Sequence, residues 1–122
     1  MRKYKNRPLT HKLRFALAGW RHAWRGEDNF RRLVWLGLAA VAFFIALRPT
    51  ALWWALIALC IGLMWTLELV NTAVEELVDL LSPEQRVEAG RIKDLMAGAV
   101  LSLGLATAVV GACALWTVLA RG

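Results

Sequence analysis

The stretch Ala51–Leu81, ALWWALIALCIGLMWTLELVNTAVEELVDLL, decides how this chain is built. Its first part, Ala51–Leu67, is uncharged, and Glu68, Asn71, Glu75 and Asp79 then follow with no helix breaker before Ser82-Pro83. One continuous helix over these residues would extend about 46 Å at about 1.5 Å per residue. The hydrocarbon core of a bilayer is about 30 Å thick. The last third therefore projects beyond the hydrocarbon, with Glu68 about 26 Å along, near the inner edge. At about 100° per residue, Glu75 and Asp79 fall within about 20° of Glu68 on either side, and Asn71 within about 60°. The four form one polar stripe. Glu76 lies about 80° away and is expected to be merely solvated. Carboxylates at a membrane edge are costly to desolvate, so such a stripe marks function rather than packing.

The rest of the chain fits the same frame. Its 122 residues allow one domain, and 59% are hydrophobic, above the roughly 45–50% of a soluble domain. The apolar residues come in three blocks. Leu33–Leu47 becomes long enough to span when it starts near Phe30 and Arg31, Arg32 and Arg48 snorkel. Ala51–Leu81 is the second block, and Leu95–Ala120 the third, giving expected spans over 30–48, 51–81 and 94–120. Gly98, Gly104 and Gly111 give the third span small-residue surfaces for close helix packing. Ser82 and Gln85 read as a capping box, with Pro83 at the first position of the next helix.

Before the first span, Leu13, Ala16, Leu17, Trp20 and Trp24 recur at helical spacing, with Lys12, Arg14, Arg21 and Arg25 mainly on other faces. This predicts an amphipathic surface helix over 9–25, with Thr10 as its cap and Gly26 as its stop, lying on the membrane or on the protein's own core. Met1–Pro8 is a basic tail, and the first 32 residues are too charged to hold the apolar region of a secretory signal. The fold class is all-α integral membrane: a surface helix plus three transmembrane helices.

The net charge of +6 does not point to nucleic acid, because its distribution is that of a membrane protein. Ten of the fifteen basic residues precede Leu33, and Arg86, Arg91 and Lys93 lie between the second and third blocks. The positive-inside bias places the N-terminus and the second loop in the cytoplasm. Cys60 and Cys113 sit within apolar blocks and read as small hydrophobes. His11 and His22 read as polar-side residues of the surface helix, and Glu84 and Glu88 as solvated charges.

Mg²⁺ takes one or two carboxylates together with phosphate oxygens, and a carboxylate near low dielectric can serve as a base. Lys93 and Asp94 open the third span, at the depth expected for the acidic stripe, and a lysine is a suitable point charge for phosphates. Acids, a metal and a lysine at one interface suggest phosphoryl transfer to a lipid. No Walker loop and no glycine-rich kinase loop is present, so any ATP would be held by side chains on helices.

The run Glu68-Leu-Val-Asn71-Thr72-Ala73-Val-Glu75, followed by Asp79 and then Gly90-Arg-Ile-Lys93-Asp94-Leu-Met-Ala97-Gly98-Ala99-Val100, resembles the prokaryotic diacylglycerol kinases. Segment order and length extend the resemblance over nearly the whole chain. It implies an Mg²⁺- and ATP-dependent kinase for a membrane lipid alcohol, a homotrimer with active sites shared between subunits, and a bacterial cytoplasmic membrane location. It implies Glu68 as the base that contacts the lipid hydroxyl, Glu75 and Glu27 as metal ligands, and Asn71 as the amide that orients the reacting groups. It implies Lys93 at the ATP phosphates and Asp94 near the adenosine; Asp79 belongs to the motif without an assigned role. Lys5-Asn6-Arg7, Phe15-Ala16-Leu17-Ala18-Gly19 and Glu27-Asp28-Asn29 look more like the undecaprenol kinase branch, whereas Trp20 and Trp24 depart from that branch's pattern. The lipid is thus a polyisoprenol or diacylglycerol.

Two other classes compete. A small proton-coupled transporter would use an intramembrane acid such as Glu68, but small multidrug exporters have four spans with that acid in the first. A membrane anchor or assembly factor would use the basic surface helix and leave the ordered acids unexplained.

Overall fold

The computed structural model describes residues 8–121 and is helical throughout, with α1 Leu9–Gly26, α2 Asp28–Leu47, α3 Ala51–Leu81 and α4 Val87–Arg121. The tail carrying Lys5-Asn6-Arg7 lies outside the described residues. Helices α2, α3 and α4 are each long and apolar enough to cross a membrane. Many of their large side chains, such as Leu36, Leu52, Leu101 and Trp116, stay exposed on the outside of the chain. In water such a surface would be unstable; against lipid tails it carries no penalty.

The corners follow from local chemistry. Pro49 disfavours the α conformation at Arg48, and Arg48 turns into the left-handed region at φ 55° while its N–H still bonds Phe44 O. The C-terminal carbonyls of α2 that lack intrahelical partners find one in α4: Arg121 Nη2 donates to Arg48 O at 2.7 Å and to Leu47 O at 3.2 Å. Here, at the end of the bundle away from α1, Phe44, Ile57 and Ala114 form a small core with Trp53, Trp54 and Ile61 packed around it.

Several local expectations change. Thr10 lies inside α1 rather than capping it, since the helix already starts at Leu9 with Pro8 before it. The capping box after Ser82 does not form. Gln85 takes φ 55°, which breaks a helix starting at Pro83, and the chain turns through Pro83-Glu84 instead. The Ser82 hydroxyl then accepts from the Arg86 N–H at 3.2 Å, and α4 starts at Val87. Thus α4 gains two polar turns ahead of the apolar block expected from residue 94. Among the described residues, Gly98, Gly104 and Gly111 have nothing near where a Cβ would sit, so they make no close helix contact there. That part falls to Gly37, where a Cβ would lie 3.0 Å from Trp65 Cζ2 and 3.1 Å from Ile61 Cγ2. The indole of Trp65 lies over α2 because its Nε1–H donates to Leu33 O at 3.0 Å.

Candidate active site

Glu68 is the most enclosed polar residue of the stripe, 2% exposed on a membrane-crossing helix. Its Oε2 accepts from Asn29 Nδ2 at 2.9 Å. Asn29 stands in the first turn of α2, just past the α1/α2 corner. Glu27 forms that corner, leaving the helix at φ −122°, ψ 107°, while its N–H still bonds Ala23 O at 2.9 Å. Arg31 braces it from inside α2, donating to the carbonyls of Trp24 and Arg25 and pairing with Asp28. Buried Ala23 and Phe30 seat the two arms.

Glu27 and Glu75 both lie within electrostatic range of Glu68. Both are half-buried, and neither carboxylate enters a hydrogen bond or ion pair among the described residues. No cluster of three or more His, Cys, Asp or Glu close enough for a metal occurs among the described residues. Two carboxylates suit an ion that brings phosphate oxygens and water as its other ligands rather than an all-protein cage. Asn71 is half-buried between Glu68 and Glu75 along α3.

Lys93 and Asp94 meet the stripe at its Asp79 end. Helices α3 and α4 run antiparallel from the turn at 82–86, so Lys93 Nζ meets Asp79 Oδ1 at 2.8 Å, while Thr107 shares a groove with Trp65. Asp79 is eleven residues beyond Glu68, about 16 Å along the helix. Lys93 is therefore level with the aqueous end of the stripe, with Glu75 also in electrostatic range. Asp94 is exposed beside it. The site is thus graded along α3, from the enclosed Glu68 to a more exposed lysine–aspartate pair.

Glu76 is not merely solvated. It accepts from His22 Nε2 at 2.7 Å, tying α1 to α3. The bond and the negative charge of Glu76 raise the His22 pKa above its ordinary value, and Glu27 adds to this. Beneath the pair runs a groove of about 360 Å³ between α1 and α3, bounded by Trp20, Leu69, Thr72 and Ala73. Thr72, one turn from Glu68, is buried there with its hydroxyl unpartnered. Sequence reasoning assigned no role to Asn29 or to the His22–Glu76 pair. The pairs join residues 39 and 54 positions apart, which helical spacing does not connect.

Known proteins are similar to this chain in sequence. The family described as prokaryotic diacylglycerol kinase matches residues 14–115. A diacylglycerol kinase of Synechocystis is 39% identical over 88% of this chain and 62% of its own length. This chain thus spans less than two thirds of that relative. An undecaprenol kinase of Bacillus subtilis is 34% identical over 71% of each chain, and a diacylglycerol kinase of Haemophilus influenzae is 31% identical over 88% of this chain and 92% of its own. The match takes in α2 and α3 whole and most of α1 and α4, and with them every candidate site residue: the chain belongs to the prokaryotic diacylglycerol kinase family.

Proposed function

We propose that this protein is a single-domain lipid kinase that transfers the γ-phosphoryl group of ATP to the hydroxyl of a membrane lipid alcohol, diacylglycerol or undecaprenol. The observation that carries the reading is Glu68, enclosed on a membrane-crossing helix, fixed by one amide and flanked by two free carboxylates. A lipid hydroxyl reaches this depth from the bilayer, and ATP reaches the Asp79–Lys93 end from water. Glu68 takes the proton as the lipid oxygen attacks the γ-phosphorus, the bond to the β-phosphate bridge breaks, and ADP leaves. Asn71 orients the reacting groups. Lys93 exchanges Asp79 for phosphate oxygens, and Asp94 lies toward the adenosine. Glu27 and Glu75 would hold Mg²⁺, which offsets charge on the phosphates when bound. Relatives named for diacylglycerol and for undecaprenol leave both lipids as substrates to compare. The transporter alternative has no support among the relatives. The positive charge around α1 and at residues 86–93 supports a cytoplasmic N-terminus. The chain's family supports assembly into a homotrimer in the bacterial cytoplasmic membrane.

The test is transfer of label from γ-labelled ATP, with Mg²⁺, to diacylglycerol and undecaprenol side by side in membranes containing the protein. Glu68→Gln keeps the shape and the Asn29 contact but removes the base, and a loss of about 10²–10⁴-fold is expected. Absence of labelled product from both lipids would refute the reading.

A further inference from the structure

Asn29 is the second residue of α2, two places past Glu27, which holds the position whose side chain ordinarily caps a helix start. Here no side-chain cap is made at the start of α2, and the amide reaches across to α3, with Nδ2 2.9 Å from Glu68 Oε2. A carboxylate has only acceptors to offer, so the amide must turn its NH₂ toward it, and the orientation of both groups is settled together. Glu68 Oε1 makes no hydrogen bond among the described residues, which leaves one oxygen held and the other available. Asn29 itself is exposed, so its contact is not forced by burial of its own. The Arg31 brace across Trp24, Arg25 and Asp28 fixes the corner from which it reaches.

We infer that Asn29 is a positioning residue for this reaction, holding Oε2 of Glu68 so that Oε1 faces the lipid hydroxyl. This rests on the reading of Glu68 as the base. The residue acts before any substrate binds and without touching the nucleotide, so its loss should appear in kcat and not in the KM for MgATP. Glu27, two residues away, belongs to the opposite case, since its loss should weaken the metal-nucleotide side.

The test uses the full chain in lipid nanodiscs, with Asn29→Ala, Asn29→Asp and Glu68→Gln compared under saturating lipid. Losing a hydrogen bond to a charged group corresponds to a fall of roughly 10- to 100-fold, and that is expected in kcat for Asn29→Ala. The KM for MgATP should stay within about twofold, because a contact made only to the base is not part of nucleotide binding. The isosteric Asn29→Asp should fall further, since it places a like charge against Glu68. In a Glu68→Asp background, whose shortened side chain no longer reaches Asn29, Asn29→Ala should add little. If alanine disturbs the fold, as near-UV circular dichroism would show, Asn29→Asp decides. Wild-type kcat in both Asn29 variants, with Glu68→Gln inactive, overturns the inference alone. An active Glu68→Gln overturns the base assignment and this inference with it.

Discussion

The Gly37–Trp65 contact offers the sharpest physical test of how α2 and α3 are held beside the site. Gly37→Ala adds one methyl group 3.0 Å from Trp65 Cζ2 and 3.1 Å from Ile61 Cγ2. Carbon atoms at rest lie about 3.5–4.0 Å apart, so something must move by a few tenths of an ångström. Trp65 has little room to do so, because its Nε1–H is tied to Leu33 O on the same helix as Gly37. Overpacking of this kind costs about 1–3 kcal/mol. Alanine also gains about 0.5–1 kcal/mol over glycine within a helix. Gly62→Ala on α3 gains the same propensity with open space around its Cβ. The difference between the two variants therefore isolates the contact, at about 1–3 kcal/mol. Reversible unfolding in mixed detergent, followed by tryptophan fluorescence, measures it. Trp65→Phe removes both the tether and the outer ring, so the Gly37→Ala penalty should shrink in that background. Activity should fall along with stability, since Trp65 lies three residues before Glu68 and a shift of α3 against α2 stretches the Asn29 bond. Equal stability of Gly37→Ala and Gly62→Ala would show that α3 does not rest on Gly37 through Trp65.

Two further outcomes follow from the graded site. The folded-state pKa of His22 lies above its ordinary value of about 6.5, so the His22–Glu76 tie contributes stability fully below about pH 6.5 and loses it as pH rises through the raised value. An NMR titration of the His22 ring should show that raised midpoint and a return toward the ordinary value in Glu76→Gln; an unchanged midpoint would mean that α1 is not tied to α3 here. Lys93→Met should raise the KM for ATP and lower turnover, because the phosphate charge partner is gone. Asp79→Asn should do less, since it only frees Lys93, and steady-state kinetics with varied ATP will separate the two.

Much of the architecture was legible because the bilayer is a demanding solvent. Backbone groups in hydrocarbon have to be satisfied within the segment, so an apolar run such as Ala51–Leu67 has to be helix. Continuity of α3 through Glu68, Glu75 and Asp79 follows from the absence of any breaker before Ser82-Pro83. The start of α4 was less legible. It depends on Gln85 entering the left-handed region, a choice that no capping pattern records. Glycine spacing shows where close approach is possible, not which helix arrives. Gly37, single in α2, proved to be the glycine in close contact because Trp65 packs against it.

Periodicity and charge alone place the acids on one face of one helix, set their order with depth, and separate a basic side of the membrane from its opposite. These are consequences of the α-helix repeat and of the free energy of charge in hydrocarbon, both local in the chain. Which oxygen of Glu68 is held, that Glu76 meets His22, and that Lys93 faces Asp79 rather than Glu68 depend on the α1/α2 corner and on the length of the turn before α4. A shift of one residue in either would turn a side chain by about 100° and change every one of those partners.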